Sequence, residues 1–317
     1  MRVMRAVTVS DYGGAPVVAE VPTPQPGPGQ VLIKMRAAGM NPMDRKLAAG
    51  DWRPLPARFP MVLGADGEGV VEKVGDGATR FSRGDEVFGQ LMIPPLGSAG
   101  TYAEYVAVTE DAPLARVPSG IDAVLAAALP TAGGAGLAIV ESVEPLSGKT
   151  VLIVGAGGGV GSFATQFAAN AGARVIANVR AASADRMRAY GATETIDHTD
   201  VSVADAVRLA HPGGIDVLID LVSDADGFGE LASLVRPGGT ALTSQYVADL
   251  EALAAAGVTG INFALRESSE LLERVADALA RGRIVPPPIT RIGLEEAPAA
   301  LGEARTGHAN GKTVITL

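Results

Sequence analysis

Thr150-Val-Leu-Ile-Val-Gly-Ala-Gly-Gly-Gly-Val-Gly161 runs from a short apolar stretch straight into five glycines, and Ser162-Phe-Ala-Thr-Gln-Phe-Ala168 follows with its apolar residues at helical spacing. The order is strand, tight turn, helix start. A turn made of Gly155, Ala156, Gly158, Gly159, Val160 and Gly161 lets the backbone reverse sharply and come close to a pyrophosphate. The free N–H groups and the dipole of the next helix then attract its charge. A glycine-rich turn supports this reading only between a strand and a helix, and both flank it here.

Outward from the turn, strands at 150–154, 174–179, 215–221 and 239–244 alternate with helical stretches. Such alternation predicts parallel βαβ units, an α/β fold with a doubly wound parallel sheet of Rossmann type. Glu270-Leu-Leu-Glu-Arg-Val-Ala-Asp-Ala-Leu-Ala280 reads as an amphipathic helix, and Pro286-Pro-Pro288 breaks the chain after it. The closing strand, Lys312-Thr-Val-Ile-Thr-Leu317, is short and apolar and needs a sheet to join. The N-terminal region is one host for it. That region, 1–120, is β-rich and punctuated by Gly and Pro, with strand candidates at 30–38, 68–74, 85–89 and 101–108. Tyr102 and Tyr105, three apart on the last of these, are expected to face opposite sides. A length of 317 residues predicts two domains.

Composition narrows the function classes. Hydrophobic residues make up 47% and charged residues 19%, as in a globular protein, and a net charge of −9 argues against non-specific nucleic-acid binding. The chain has no cysteine, which excludes disulfides, thiolate zinc sites and thiol nucleophiles. No stretch has the length of a signal peptide or a membrane span. The expectation is a cytoplasmic enzyme acting on a small molecule, with neither nucleic acid nor membrane as partner.

The order of features resembles the medium-chain dehydrogenase/reductase superfamily, specifically its zinc-independent quinone oxidoreductase branch. Carrying the resemblance are Ala38-Gly-Met-Asn41-Pro-Met-Asp44, Leu63-Gly-Ala-Asp-Gly-Glu-Gly-Val70, Leu129-Pro-Thr131-Ala-Gly133, the Ala156-x-Gly158-x-x-Gly161 turn, Arg236-Pro-Gly-Gly239 and Gly311-Lys312-x-Val314. It covers essentially the whole chain. It implies a β-rich GroES-like substrate domain from residues 1–122 and 264–317, and a Rossmann coenzyme domain at 123–263. Zinc-dependent relatives carry a ligand cysteine around Asn41, a Gly-His-Glu where this chain has Gly64-Ala65-Asp66, and a further cysteine near Thr131. With Ala65 in place of histidine and no thiolate, a tetrahedral zinc lacks its ligands. The three histidines, His198, His211 and His308, lie far from those positions in sequence. His211, before Pro212-Gly213-Gly214, reads as a helix C-terminal residue.

A Rossmann unit that selects NAD places an acid about 20 residues past the glycines. Here that count reaches Asn178, and no Asp or Glu occurs between Ala173 and Ala184. Arg180 and Ser183 follow, a planar cation and a hydroxyl suited to a 2′-phosphate, so NADPH is the expected coenzyme. Arg180 as a solvated loop residue is the plainer reading. His198 stands where relatives often have an aromatic residue near the adenosine phosphate, or is a surface histidine. By the resemblance Thr131 approaches the nicotinamide ring, the alternative being a helix N-terminal hydroxyl, and Lys312 is grouped with the coenzyme-binding residues.

Asn41-Pro-Met-Asp44 is a good helix start, with Asn41 as N-cap, Pro42 at N1 and Asp44 at N3. The resemblance places Asn41 and Asp44 in the substrate pocket, where an amide can donate to a carbonyl gaining charge. Trp52 is a candidate for the pocket mouth, or ordinary packing. No dedicated proton donor stands out. The leading expectation is hydride transfer from NADPH to a quinone or an α,β-unsaturated carbonyl compound. Alternatives are an enoyl-thioester reductase of a biosynthetic pathway and a non-catalytic NADPH-binding sensor or partner protein. Gly257-Val-Thr-Gly-Ile-Asn-Phe-Ala264, apolar and free of proline, is the expected sheet edge for a homodimer.

Overall fold

A computed structural model describes residues 2–51, 55–92, 94–303 and 311–317. Trp52 and His308 lie outside the described residues. The chain divides into two compact units: Met1–Thr131 with Glu267–Arg281 and Pro288–Leu317, and Ala132–Arg266 with Gly282–Pro287.

The first unit opens with β1 (Val3–Val9), β2 (Val17–Pro22) and β3 (Gln30–Gly39), followed by α1 (Pro42–Ala49) and β4 (Met61–Val62). Then come β5 (Asp66–Val74), β6 (Glu86–Gln90), β7 (Tyr105–Thr109), β8 (Leu114–Arg116) and α2 (Ala123–Ala127). β2, β1 and β4 form a small sheet, and β3, β5, β6 and β8 lie in sequence in a larger one with β7 on β3. The segment expected as a strand at 101–108 becomes one only from Tyr105. Before it, the Tyr102 N–H donates to the Leu63 carbonyl and its own carbonyl accepts from Val7, so this stretch pairs away from β3. α2 belongs to the first unit, because Val124, Ala127 and Ala128 are buried against Ala37 of β3.

α3 (Pro130–Ser142) carries the chain from one unit to the other. The second unit contains β9 (Thr150–Val154), α4 (Gly159–Asn170), β10 (Arg174–Asn178), α5 (Ala184–Ala189), β11 (Ala192–Ile196) and α6 (Val203–Ala210). It continues with β12 (Ile215–Asp220), α7 (Ala225–Ala232), β13 (Val235–Thr243), α8 (Leu250–Ala255) and β14 (Thr259–Asn262). All pairings are parallel, in the order β11-β10-β9-β12-β13-β14. Every residue of β9 and β12 is buried, as a sheet covered on both faces requires. The strand order reverses between β9 and β12, which is the switch point where open α/β sheets bind ligands. β14 lies at one edge, within the stretch expected there.

The chain then returns to the first unit through α9 (Ser269–Ala280), β15 (Ile289–Gly293), α10 (Ala297–Glu303) and β16 (Lys312–Thr316). Leu271, Leu272, Val275, Ala276 and Ala278 form the buried face of α9, in keeping with its amphipathic pattern. β16 joins the large sheet, antiparallel to β3 through Val314–Gly39 and parallel to β15.

Candidate active site and coenzyme-binding turn

The turn after β9 is built from backbone. Gly155 has φ 80°, a left-handed conformation that favours glycine, and Gly158 is the N-cap of α4. A Cβ on Gly161 would lie 2.3 Å from the Gly155 carbonyl oxygen and 2.6 Å from the Ala156 Cα, so the helix can pack this closely on the turn only with glycine there. A Cβ on Gly158 would meet nothing nearer than the Gly155 oxygen at 3.5 Å. That open side, with the first-turn N–H groups of α4, fits a pyrophosphate.

Side chains surround this turn on α5 and its approach. A Cβ on Gly157 would come within 3.5 Å of Val179, 3.8 Å of Arg186 Nη2 and 4.0 Å of Ser183 Oγ. Arg186 Nη2 donates to the Gly157 carbonyl at 3.1 Å and to Ser183 Oγ at 3.2 Å. Asn178, buried at the end of β10, has its Nδ2 3.3 Å from His198 Nδ1 and 3.3 Å from the Ile196 carbonyl. Arg180 is exposed, and its side chain has no partner among the described residues. The structure thus brings Asn178 and His198 together, and sets Ser183 against the turn through Arg186. His211 caps α6 and faces Glu194 Oε2 at 3.0 Å.

In the first unit, residues from five distant points of the chain meet in one buried cluster. Asp66 opens β5 and is fully buried. Thr131 donates to it twice, from its N–H to Oδ2 at 3.0 Å and from Oγ1 to Oδ1 at 2.6 Å. A carboxylate at the first turn of α3 is well placed against the helix dipole. Lys312 Nζ lies 3.9 Å from Asp66 Oδ2 and donates to the Met40 carbonyl at 2.7 Å and to Asn41 Oδ1 at 2.6 Å. Asp44 Oδ2 accepts the Asn41 N–H at 2.7 Å and the Tyr102 hydroxyl at 2.6 Å, while Asp44 Oδ1 is buried without a partner. Asn41 is therefore the N-cap of α1 by position, yet its side chain caps no helical N–H, because Lys312 has taken its oxygen. Asp44 supplies the reciprocal contact of a capping box from N3.

Burial sets the electrostatics. Loss of water pushes Asp44 up to about 7 and Asp66's charge pushes the same way, against the hydrogen bonds from Tyr102 and Asn41 and the charge of Lys312. Asp66 is also raised by burial, opposed first by Lys312 and then by hydrogen bonds from Thr131 and Asn41. Lys312 is lowered by burial and held up by the charges of Asp66 and Asp44. Glu267, just before α9, has both carboxylate oxygens buried without a partner, and burial together with Asp66 raises it to about 8.

Of the residues singled out in the sequence, Asn41, Asp44, Thr131 and Lys312 belong to this cluster. Asp66, Tyr102, Arg186 and Glu267 had no assigned role. Asp66 and Glu68, two acids alternating with glycines at the start of β5, are the available signal; nothing in spacing links Tyr102 to Asp44. Ala65 is fully buried, and no group of three or more His, Cys, Asp or Glu that could hold a metal ion occurs among the described residues.

Residues 27–119 match the alcohol dehydrogenase GroES-like domain, and residues 190–315 match the family described as zinc-binding dehydrogenase. The chain is 31% identical to a 2-methylene-furan-3-one reductase of Solanum lycopersicum, over 98% of this chain and 79% of that protein. It is 30% identical, over the same shares, to a chloroplastic NADPH-dependent alkenal/one oxidoreductase of Arabidopsis thaliana. A quinone oxidoreductase from Coxiella burnetii superposes with a TM-score of 0.89 at 26% identity, covering 100% of both chains. With its GroES-like and Rossmann units and relatives matched along nearly its whole length, the chain belongs to the medium-chain dehydrogenase/reductase superfamily.

Proposed function

We propose that the chain is a zinc-independent reductase that uses NADPH to reduce a quinone or an α,β-unsaturated carbonyl compound. Family membership implies a nicotinamide coenzyme, which supplies the hydride when bound. The observation that carries the reading is the buried Asn41–Lys312–Asp66–Thr131 cluster, a polar site assembled without thiolate or imidazole. It agrees with the relatives, a 2-methylene-furan-3-one reductase, an NADPH-dependent alkenal/one oxidoreductase and a quinone oxidoreductase.

In this reading the second unit binds the coenzyme and the first binds the acceptor. The α4 N-terminus holds the pyrophosphate over Gly158, Gly159, Val160 and Gly161, and Arg180 with Ser183 takes the 2′-phosphate. Asn178 and His198 line the adenosine end. Asn41 donates from its amide to the acceptor oxygen as negative charge grows there. Asp44 acts through Asn41 by fixing its main chain. The partner is a second copy of this chain, joined through β14, a sheet edge without proline. Light scattering that returned the mass of a single chain at micromolar concentration would count against the dimer.

The test of the activity is NADPH oxidation with a panel of simple quinones, enones and enoyl thioesters, for wild type and Asn41→Ala. Turnover of quinones or enones is expected, with the variant slower by on the order of tenfold or more and its NADPH affinity within about twofold. Tight NADPH binding with no turnover on any acceptor overturns the reading in favour of a binding protein. Turnover of the thioester alone shifts it to an enoyl-thioester reductase.

A further inference from the structure

Lys312 places an ammonium group where almost no water reaches it: its side chain is 4% exposed. Two of its protons go to neutral oxygens, the Met40 carbonyl and Asn41 Oδ1, and the nearest carboxylate among the described residues is Asp66, with Oδ2 at 3.9 Å. An ammonium has donors and no acceptor, so the amide it meets must turn its oxygen inward. That settles the orientation of Asn41 by chemistry. Oδ1 faces Lys312, and the NH2 group faces away from it. There one Nδ2 proton is directed at the Asp66 carboxylate, and the Gly39 carbonyl, at 3.5 Å, is a long contact that leaves the second proton for an acceptor. A cation on Oδ1 also polarises the amide and strengthens its N–H groups as donors. The alternative orientation would present an oxygen to an acceptor that is itself gaining negative charge.

We propose that Lys312 is a positioning residue for the reduction: its ammonium locks the Asn41 amide with Nδ2 as the donor, and Asp66, held by Thr131, keeps that ammonium in place. The assignment rests on Asn41 donating to the acceptor oxygen. It differs from the role the family resemblance implies for Lys312, which is contact with the coenzyme.

Three variants separate these roles. Lys312→Met removes the donor, Lys312→Gln keeps a neutral donor of similar reach, and Asn41→Ala removes the amide. Steady-state kinetics, NADPH affinity by fluorescence titration and melting temperature are measured on each, and on Lys312→Met combined with Asn41→Ala. Lys312→Met is expected to lower kcat by on the order of tenfold, with NADPH affinity within about twofold. Lys312→Gln should recover a good part of that loss. The double variant should be no slower than Asn41→Ala alone, because each change removes the same interaction. A loss of NADPH affinity with kcat retained makes Lys312 a coenzyme contact and overturns the proposal. So does a double variant whose losses multiply, or a lowered melting temperature with kinetics unchanged. If Lys312→Met does not fold, Lys312→Gln decides: an intermediate kcat at unchanged NADPH affinity supports positioning, and wild-type kcat overturns it. Should Asn41→Ala itself turn over like wild type, the Asn41 reading has failed, and that outcome is visible in its own measurement.

Discussion

The turn after β9 is built from backbone, whereas the cluster around Asp66 is built from side chains. The turn is one continuous stretch, open on its Gly158 side, with an exposed Arg180 nearby. The cluster draws on positions 41, 44, 66, 102, 131 and 312, and nearly every polar atom in it is already bonded to another member. A nucleotide diphosphate brings its own charge, so dipoles and free N–H groups suffice to hold it. An acceptor that becomes charged only during reaction needs donors fixed beforehand, in surroundings poor in water. The two regions should therefore fail differently when altered.

The largest effect should come from Gly161→Ala, since the added methyl would meet the backbone of Gly155 and Ala156 at 2.3 and 2.6 Å. Overpacking of this kind costs about 1–3 kcal/mol or more, and coenzyme affinity should collapse with the turn. Gly158→Ala sharpens the point. Its methyl has only a 3.5 Å neighbour, so the melting temperature should hold while coenzyme affinity falls by roughly tenfold, as the pyrophosphate is kept at a distance. Equal losses of stability in both variants would show that the turn is closed and cradles nothing.

Next in size is coenzyme choice. Arg180→Ala should weaken NADPH by about ten- to a hundredfold and leave NADH nearly unchanged, and Arg180→Lys should recover only part of the loss. Titration of both coenzymes into wild type and variant checks this. An unchanged ratio would move the phosphate contact elsewhere on the approach to α5.

The smallest effect concerns Glu267 and is a dependence on pH. In the folded protein its carboxyl keeps a proton until about 8, whereas in an unfolded chain a glutamate loses it near about 4.3. Between those values the folded state holds the extra proton, so unfolding releases one and rising pH favours the unfolded chain. Stability is lost as pH climbs through that window. Glu267→Gln carries no such proton, so it should melt a few degrees higher than wild type at pH 8–9, with the gap closing toward pH 5. A gap that stayed constant with pH would assign the effect to packing alone.

The contrast also explains what could be read from the sequence. The turn, the alternating strands and the amphipathic α9 are local patterns, and the parallel sheet, its edge at β14 and the return of β16 agree with them. The cluster is not local. Asn41 looked like a helix cap because its neighbours have cap chemistry, and Lys312 was out of view of any window that contained it. In the sequence Tyr102 has the pattern of a strand residue three positions from Tyr105. Its backbone instead pairs with Leu63 and Val7, and its hydroxyl reaches Asp44, a contact that only the tertiary fold creates. Glu267 carried no pattern at all, since an isolated acid before a helix is ordinarily a solvated one.

The pairing of β16 with β3 has a consequence for the order in which the protein is made. The stretch from Ala132 to Arg266 contains all six strands of the parallel sheet, so this sheet can close while synthesis is still under way. The first unit cannot. Lys312 meets the Met40 carbonyl across 272 positions, and until it emerges Asp66 lacks its countercharge and Asn41 its partner. A nascent chain that stalls before β16 already carries all six strands of the parallel sheet, but β3 is still an open edge at Ala37–Gly39, and Asp66 on the neighbouring β5 has the hydrogen bonds of Thr131 without the charge of Lys312.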